Sequence, residues 1–164
     1  MTDLLNKISS YNLFNNLLPG ILSVVLIKHF VGYNLEQENI FIGLFLYYFI
    51  GMTISRISSI LIEPILKFLK FVSFRNYKQF IEASKEDDKL DIFVETNNMF
   101  RVLFTMLFLT LVTKIYYATE NFWNFSETTE KYILLALLCL IYLFSYGKQT
   151  NFIKKRIDHN TKKQ

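Results

Sequence analysis

Apolar residues along the chain fall into long blocks, not into the alternation of a strand or the narrow stripe of a soluble surface helix. The blocks run from Leu13 to Val31, Ile40 to Ile62, Met99 to Tyr117 and Tyr132 to Gly147. Each offers roughly 16 to 23 residues of helix, against the ~20 needed to cross ~30 Å of hydrocarbon at 1.5 Å per residue. The fourth block is close to the lower limit and calls on Lys131 and Lys148 to reach outward to the headgroups. In the third, Arg101 and Lys114 bracket VLFTMLFLTLVT, a length that also suits a buried soluble helix. As a span it sets the two charges about 20 Å apart, near opposite interfaces with their stems inside. The pattern predicts an all-α polytopic membrane protein with four transmembrane helices.

Composition agrees: 52% of the 164 residues are hydrophobic and 17% aromatic, too apolar for an ordinary soluble domain. Asp3, Asn12, Asn15 and Asn16 interrupt the N-terminal region, and Ser9-Ser10 precedes the apolar run, so a cleaved signal peptide is not expected. The net charge of +4 matters less than its placement. Between the first two blocks stand Glu36 and Glu38, and between the last two Glu120, Glu127 and Glu130, in both cases without Lys or Arg. The middle segment carries Lys67, Lys70, Arg75, Lys78, Lys85 and Lys89, and the C-terminal tail Lys148, Lys154, Lys155, Arg156, Lys162 and Lys163. Basic residues of short loops stay in the cytoplasm, so both ends and the middle segment are expected inside, across a bacterial inner membrane.

The chain therefore divides at 1–62 (two spans), 63–98 (a cytoplasmic amphipathic helical segment), 99–147 (two spans) and 148–164 (a basic cytoplasmic tail). Within the middle segment, Pro64 is expected to interrupt the second helix. ILKFLKFVSF then reads as a helix lying along the membrane surface. NYKQFIEASKEDD reads as a short helix, and KLDIFVETNNMFR as a helix running into the third span.

Candidate chemistry is sparse. Cys139 is the single cysteine, and His29 and His159 are far apart without carboxylates at ligand spacing, so no metal site and no cofactor are expected. Asp87, Asp88 and Asp91 spell DDxxD, a magnesium-diphosphate motif in isoprenoid enzymes, but acid-rich turns between short helices are the commoner origin of such a string. No Ser/His/Asp set, phosphate-cradling glycine loop or HExxH is present, and the chain is not expected to be an enzyme. No ionisable residue falls near the expected bilayer midplane, which argues against a proton- or sodium-coupled transporter.

What remains is a basic inner surface. Arg56 and Glu63, seven residues apart, share one face of a regular helix, and Arg101 enters from the third span at the same level. Arg56, Lys67, Lys70, Lys78 and Arg101 are candidate ligands for an anion, with snorkelling to lipid phosphate as the plainer account of the arginines. Asn12, Asn15 and Asn16 precede Pro19-Gly20; they suit helix capping, or a ring of amides in a symmetric oligomer. Gly43, Gly51, Thr53 and Ser55 allow close packing on the second helix, and Thr53 and Ser55 join the asparagines as pore or gate candidates. Aromatic residues gather at the expected interfaces, as belt anchors do.

The runs KISSYNLFNNLLPGILSVVLIKHFVGYNL, FLYYFIGMTISRISSILIEPILK and ETNNMFR resemble the membrane effectors of the Hailong anti-phage system, and more distantly the membrane component of the Kiwa system. The resemblance covers roughly residues 4 to 104. It implies a homo-oligomeric, tetrameric channel that depolarises an infected cell. It also implies a nucleotidyltransferase partner whose oligodeoxyadenylate product binds a basic pocket and holds the channel shut. A different class, a non-conducting membrane scaffold that recruits a cytosolic partner through the middle segment, fits the same sequence.

Overall fold

A computed structural model describes residues 15–87, 89–119 and 126–161, all helices and connecting loops, with no strand among the described residues. Helix α1 spans Asn15–Val31 and α2 Ile40–Phe68. Short α3 spans Tyr77–Ala83, α4 Lys89–Ala118 and α5 Glu127–Thr161. Three of these helices, α2, α4 and α5, are long and apolar enough to cross a membrane; α1 is apolar but shorter.

Local chemistry explains where the helices begin and end. Asn39 caps α2, its side-chain oxygen accepting from the N–H groups of Phe41 at 2.9 Å and Ile42 at 3.3 Å. Ser126 does the same for α5 by accepting from Thr129 N–H at 3.2 Å. The carboxylate of Asp87 accepts from Lys89 N–H at 2.9 Å at the start of α4, which gives the first aspartate of the DDxxD string a structural role. Asp88 lies outside the described residues. Gly32, at φ 87, ends α1 in the left-handed conformation that glycine adopts without a steric cost.

Helices α1, α4 and α5 each pack on α2, and the Ile27–Val31 end of α1 also packs on α4. The junction of α2 with α1 is made by bare backbone. A Cβ on Gly20 would stand 1.8 Å from the Tyr47 carbonyl oxygen, and one on Gly51 only 1.6 Å from that of Asn16, so the two helices cross closer than any side chain permits. Against α4 the core is Ile54, Val102 and Met106, flanked by Leu26, Ile50, Leu103 and Leu109. The buried hydroxyls of Thr105 and Thr110 turn back onto the carbonyls of Arg101 and Met106 at 2.8 and 3.0 Å, so burial leaves neither unsatisfied. Most side chains of α5 are exposed, as are Phe41, Phe45, Leu107 and Leu111 elsewhere, which is the surface a helix offers to lipid.

Two readings of the middle segment need correction. Pro64 does not end the second helix: residues 58–62 widen into a π-helical turn and α2 continues to Phe68. Nor does ILKFLKFVSF form a surface helix. Lys70 takes φ 58, and Phe71 N–H bonds back to Leu66 O at 3.0 Å while Lys70 N–H bonds to Lys67 O at 3.0 Å. That pair of bonds is a Schellman end, which closes the helix whatever the amphipathic spacing beyond it. Residues 72–76 are irregular, and α3 comes next, with Tyr77 against Phe152 of α5, ring centroids 6.4 Å apart.

Candidate functional site

The π turn in α2 organises the charged end of the molecule. Inside it, Glu63 N–H bonds to Ser58 O, five residues back, instead of to Ser59 O. The next donor that could serve Ser59 O in a π pattern belongs to Pro64, which has no N–H. The Ser59 carbonyl thus has no partner in its own helix. Lys148 of α5 supplies one, its Nζ donating to Ser59 O at 2.5 Å and to Ser59 Oγ at 2.7 Å.

Beside this contact, Glu63 joins three helices. Its carboxylate accepts from the Arg101 guanidinium of α4 through one oxygen and from Lys67 Nζ at 2.6 Å through the other. Arg101 Nε also donates to the fully buried Ser58 Oγ at 3.1 Å. Lys148 lies within electrostatic reach of the same carboxylate. Lys67, Arg101 and Lys148 therefore surround Glu63 with a surplus of positive charge. Charge-assisted bonds of this kind are short and directional, so they fix α2, α4 and α5 relative to one another at this end.

Arg101 and Lys67 are thus brought together among the anion-binding candidates. Arg56 is exposed and makes no ion pair with Glu63, whose partners are Lys67 and Arg101, since the extra residue in the π turn shifts the seven-residue register by about 100°; it does lie within electrostatic reach of Lys148. Lys70 is exposed on the helix end. Lys78 belongs to α3, with its side chain outside the described ones. The sequence pattern does not single out Ser58, Ser59 or Lys148 as site residues. The signal it does hold is Pro64, five residues after Ser59, where a π turn would need an N–H for the Ser59 carbonyl.

Of the pore candidates, Asn12 lies outside the described residues. Asn15 is half-buried at the start of α1. Asn16 donates to Tyr48 OH at 3.4 Å, across the α1–α2 crossing. Thr53 Oγ1 donates to Phe49 O at 2.9 Å and shares a 3.1 Å bond with Tyr142 OH of α5, whose ring stacks on Phe49 at 6.0 Å. Ser55 is half-buried on α2.

Next to the Glu63 cluster lies a cavity of about 420 Å³ between the end of α2, the connector of residues 69–76 that follows it, and α4. Leu66, Phe71, Val72, Phe74, Phe100 and Phe104 make its walls, and Glu63, Asn97 and Arg101 its polar edge. Among the described residues no group of His, Cys, Asp and Glu is arranged to hold a metal ion.

The fold and this site define the class: an all-helical protein with the spans of a membrane protein and a cationic cluster where three of its helices meet. Known protein families, curated proteins and solved structures contain no match to the chain.

Proposed function

We propose that this chain is a subunit of a homo-oligomeric ion channel, tetrameric by its resemblance to Hailong effectors, which depolarises the cytoplasmic membrane in anti-phage defence. Helix α1 crosses as well, giving four spans with both ends in the cytoplasm of a bacterial cell. The observation that carries the reading is the Glu63 cluster. Lys67, Arg101 and Lys148 outnumber the one carboxylate they surround, and they sit on α2, α4 and α5. An anion bound there competes with Glu63 for the same donors and so acts on the contacts between helices, which is what gating from the cytoplasm requires. The loops rich in Lys and Arg put that cluster on the inner side. Helices this few and this short enclose no pore alone, so conduction requires several copies around an axis. The ligand is an oligonucleotide such as oligodeoxyadenylate, made by a nucleotidyltransferase partner, since phosphates are held mainly by Lys and Arg.

The test is membrane potential, followed with a voltage-sensitive dye in bacteria expressing the chain alone and then together with the product of its neighbouring gene. Depolarisation by the chain alone, relieved by the neighbour and no longer relieved after Lys67→Gln, is the expected result. An unchanged potential in both cultures overturns the channel reading and leaves the scaffold, which recruits its partner through the middle segment from Glu63 to Asn98.

A further inference from the structure

We infer that the cavity beside the Glu63 cluster is a binding site for an anionic phospholipid, with one acyl chain between the phenylalanines and the headgroup phosphate at Lys67 and Lys70. Its volume of about 420 Å³ is within the range of small-molecule sites. The walls are apolar yet open, with Phe71 79%, Phe74 53%, Phe100 62% and Phe104 49% exposed. Four exposed phenylalanines around one hollow are the chemistry of a hydrocarbon guest, not of a solvated surface.

At the polar edge Arg101 is paired with Glu63, and the basic residues that follow in sequence favour an anionic head. From Pro64 to Ile81 the sequence carries Lys67, Lys70, Arg75 and Lys78 and no acidic residue. Lys67 Nζ lies 4.5 Å from the centroid of the Phe74 ring, so a cation stands directly over one wall of the hollow. Glu63 holds Lys67 by a single bond, and an ammonium has three donors, leaving capacity for a phosphate oxygen. Along the chain the site lies where α2 ends and α4 begins its apolar stretch, so one end faces hydrocarbon and the other the basic connector. A zwitterionic lipid offers the same phosphate but brings a cation of its own into a site already rich in them; a net anionic lipid does not.

The inference does not depend on conduction: lipid binding with an unchanged membrane potential would sink the channel reading only. It is tested on the full-length protein in a neutral detergent. Trp123→Phe removes the native tryptophan, and Phe100→Trp, or Phe104→Trp should the first variant not fold, places a reporter in the wall. Phe45→Trp, 79% exposed on α2 away from the hollow, reports general contact with lipid. Phosphatidylglycerol and phosphatidylcholine with brominated acyl chains are titrated as quenchers. At position 100 the phosphatidylglycerol curve should saturate at a concentration about 10-fold lower than phosphatidylcholine, while at position 45 the curves coincide. Combining Lys67→Gln with Lys70→Gln should abolish the preference. Coincident curves at position 100, or a preference that survives both substitutions, overturns the proposal. So does full displacement of the lipid by millimolar inorganic phosphate, which would make this a simple anion site.

Discussion

Lys148 of α5 serves a backbone carbonyl that the π turn and Pro64 leave without a helix donor, donating to Ser59 O at 2.5 Å from a residue 89 positions away in sequence. A lysine flanking an apolar block ordinarily reaches for lipid headgroups. Here it reaches sideways, and it is a principal polar contact holding an otherwise exposed α5 against the rest of the bundle.

Removing that lysine should therefore cost more than a surface charge. Lys148→Met keeps the stem and deletes the donors, leaving the half-buried Ser59 O without its partner; a loss of about 1–3 kcal/mol is expected. Lys155→Met, on the exposed part of the same helix, should change stability by no more than about 0.5 kcal/mol. Reversible unfolding in mixed detergent micelles compares them, and equal costs would show that the Ser59 contact contributes nothing.

The glycines separate backbone packing from helix propensity. Gly20→Ala and Gly51→Ala both drive a methyl group into a carbonyl oxygen that belongs to the facing helix, and neither oxygen can move without its helix. Each should destabilise by about 1–3 kcal/mol, as overpacking does. Gly43→Ala meets only the Tyr47 ring at 3.4 Å, which can turn aside, and Gly147→Ala meets nothing within 4 Å. Gly147→Ala should then stabilise α5 by up to about 1 kcal/mol, the helix-propensity difference. The same unfolding measurement ranks all four, and a Gly20→Ala as mild as Gly43→Ala would mean that the close crossing is absent.

At Lys70 a charge and a strained backbone coincide, and two substitutions part them. Both Lys70→Gly and Lys70→Ala delete the ammonium, but only glycine accepts φ 58 freely. Lys70→Gly should be more stable than Lys70→Ala by about 1 kcal/mol, the left-handed cost of a side chain at this position. Anion binding should fall equally in both. If the two variants melt together, residues 63–71 do not close in the Schellman end.

How far the sequence anticipates this arrangement depends on the range of the physics involved. Helical segments are local, and their apolar blocks and caps are written in adjacent residues; even the bracketing of the third block by Arg101 and Lys114 falls inside one continuous helix, α4. The pairing of Arg101 with Glu63 is legible because both charges sit at the same depth of neighbouring blocks. The π turn is not, since it depends on Pro64 removing one donor and on Lys148 arriving from a distant helix to replace it. Nor is the basic tail a unit apart from the fourth apolar block: α5 runs through Gly147 to Thr161, because one glycine in a helix costs only about 1 kcal/mol against the many bonds on either side.

The coupling between Pro64 and Lys148 offers the sharpest test of the orphaned carbonyl. Pro64→Ala restores an N–H at the position a π pattern would use for Ser59 O, and it also removes the ring that crowds the preceding turn. In that background the Ser59 carbonyl has a partner in its own helix, so Lys148 is no longer needed to satisfy it. Lys148→Met should cost about 1 kcal/mol or more less in the Pro64→Ala protein than in the unmodified one, a coupling of the size expected between residues that share a partner. Four proteins, the parent, each single variant and the double, give the number from their unfolding free energies. Additive costs would mean that Lys148 and Pro64 act independently, and that the Ser59 carbonyl is not the reason Lys148 is there.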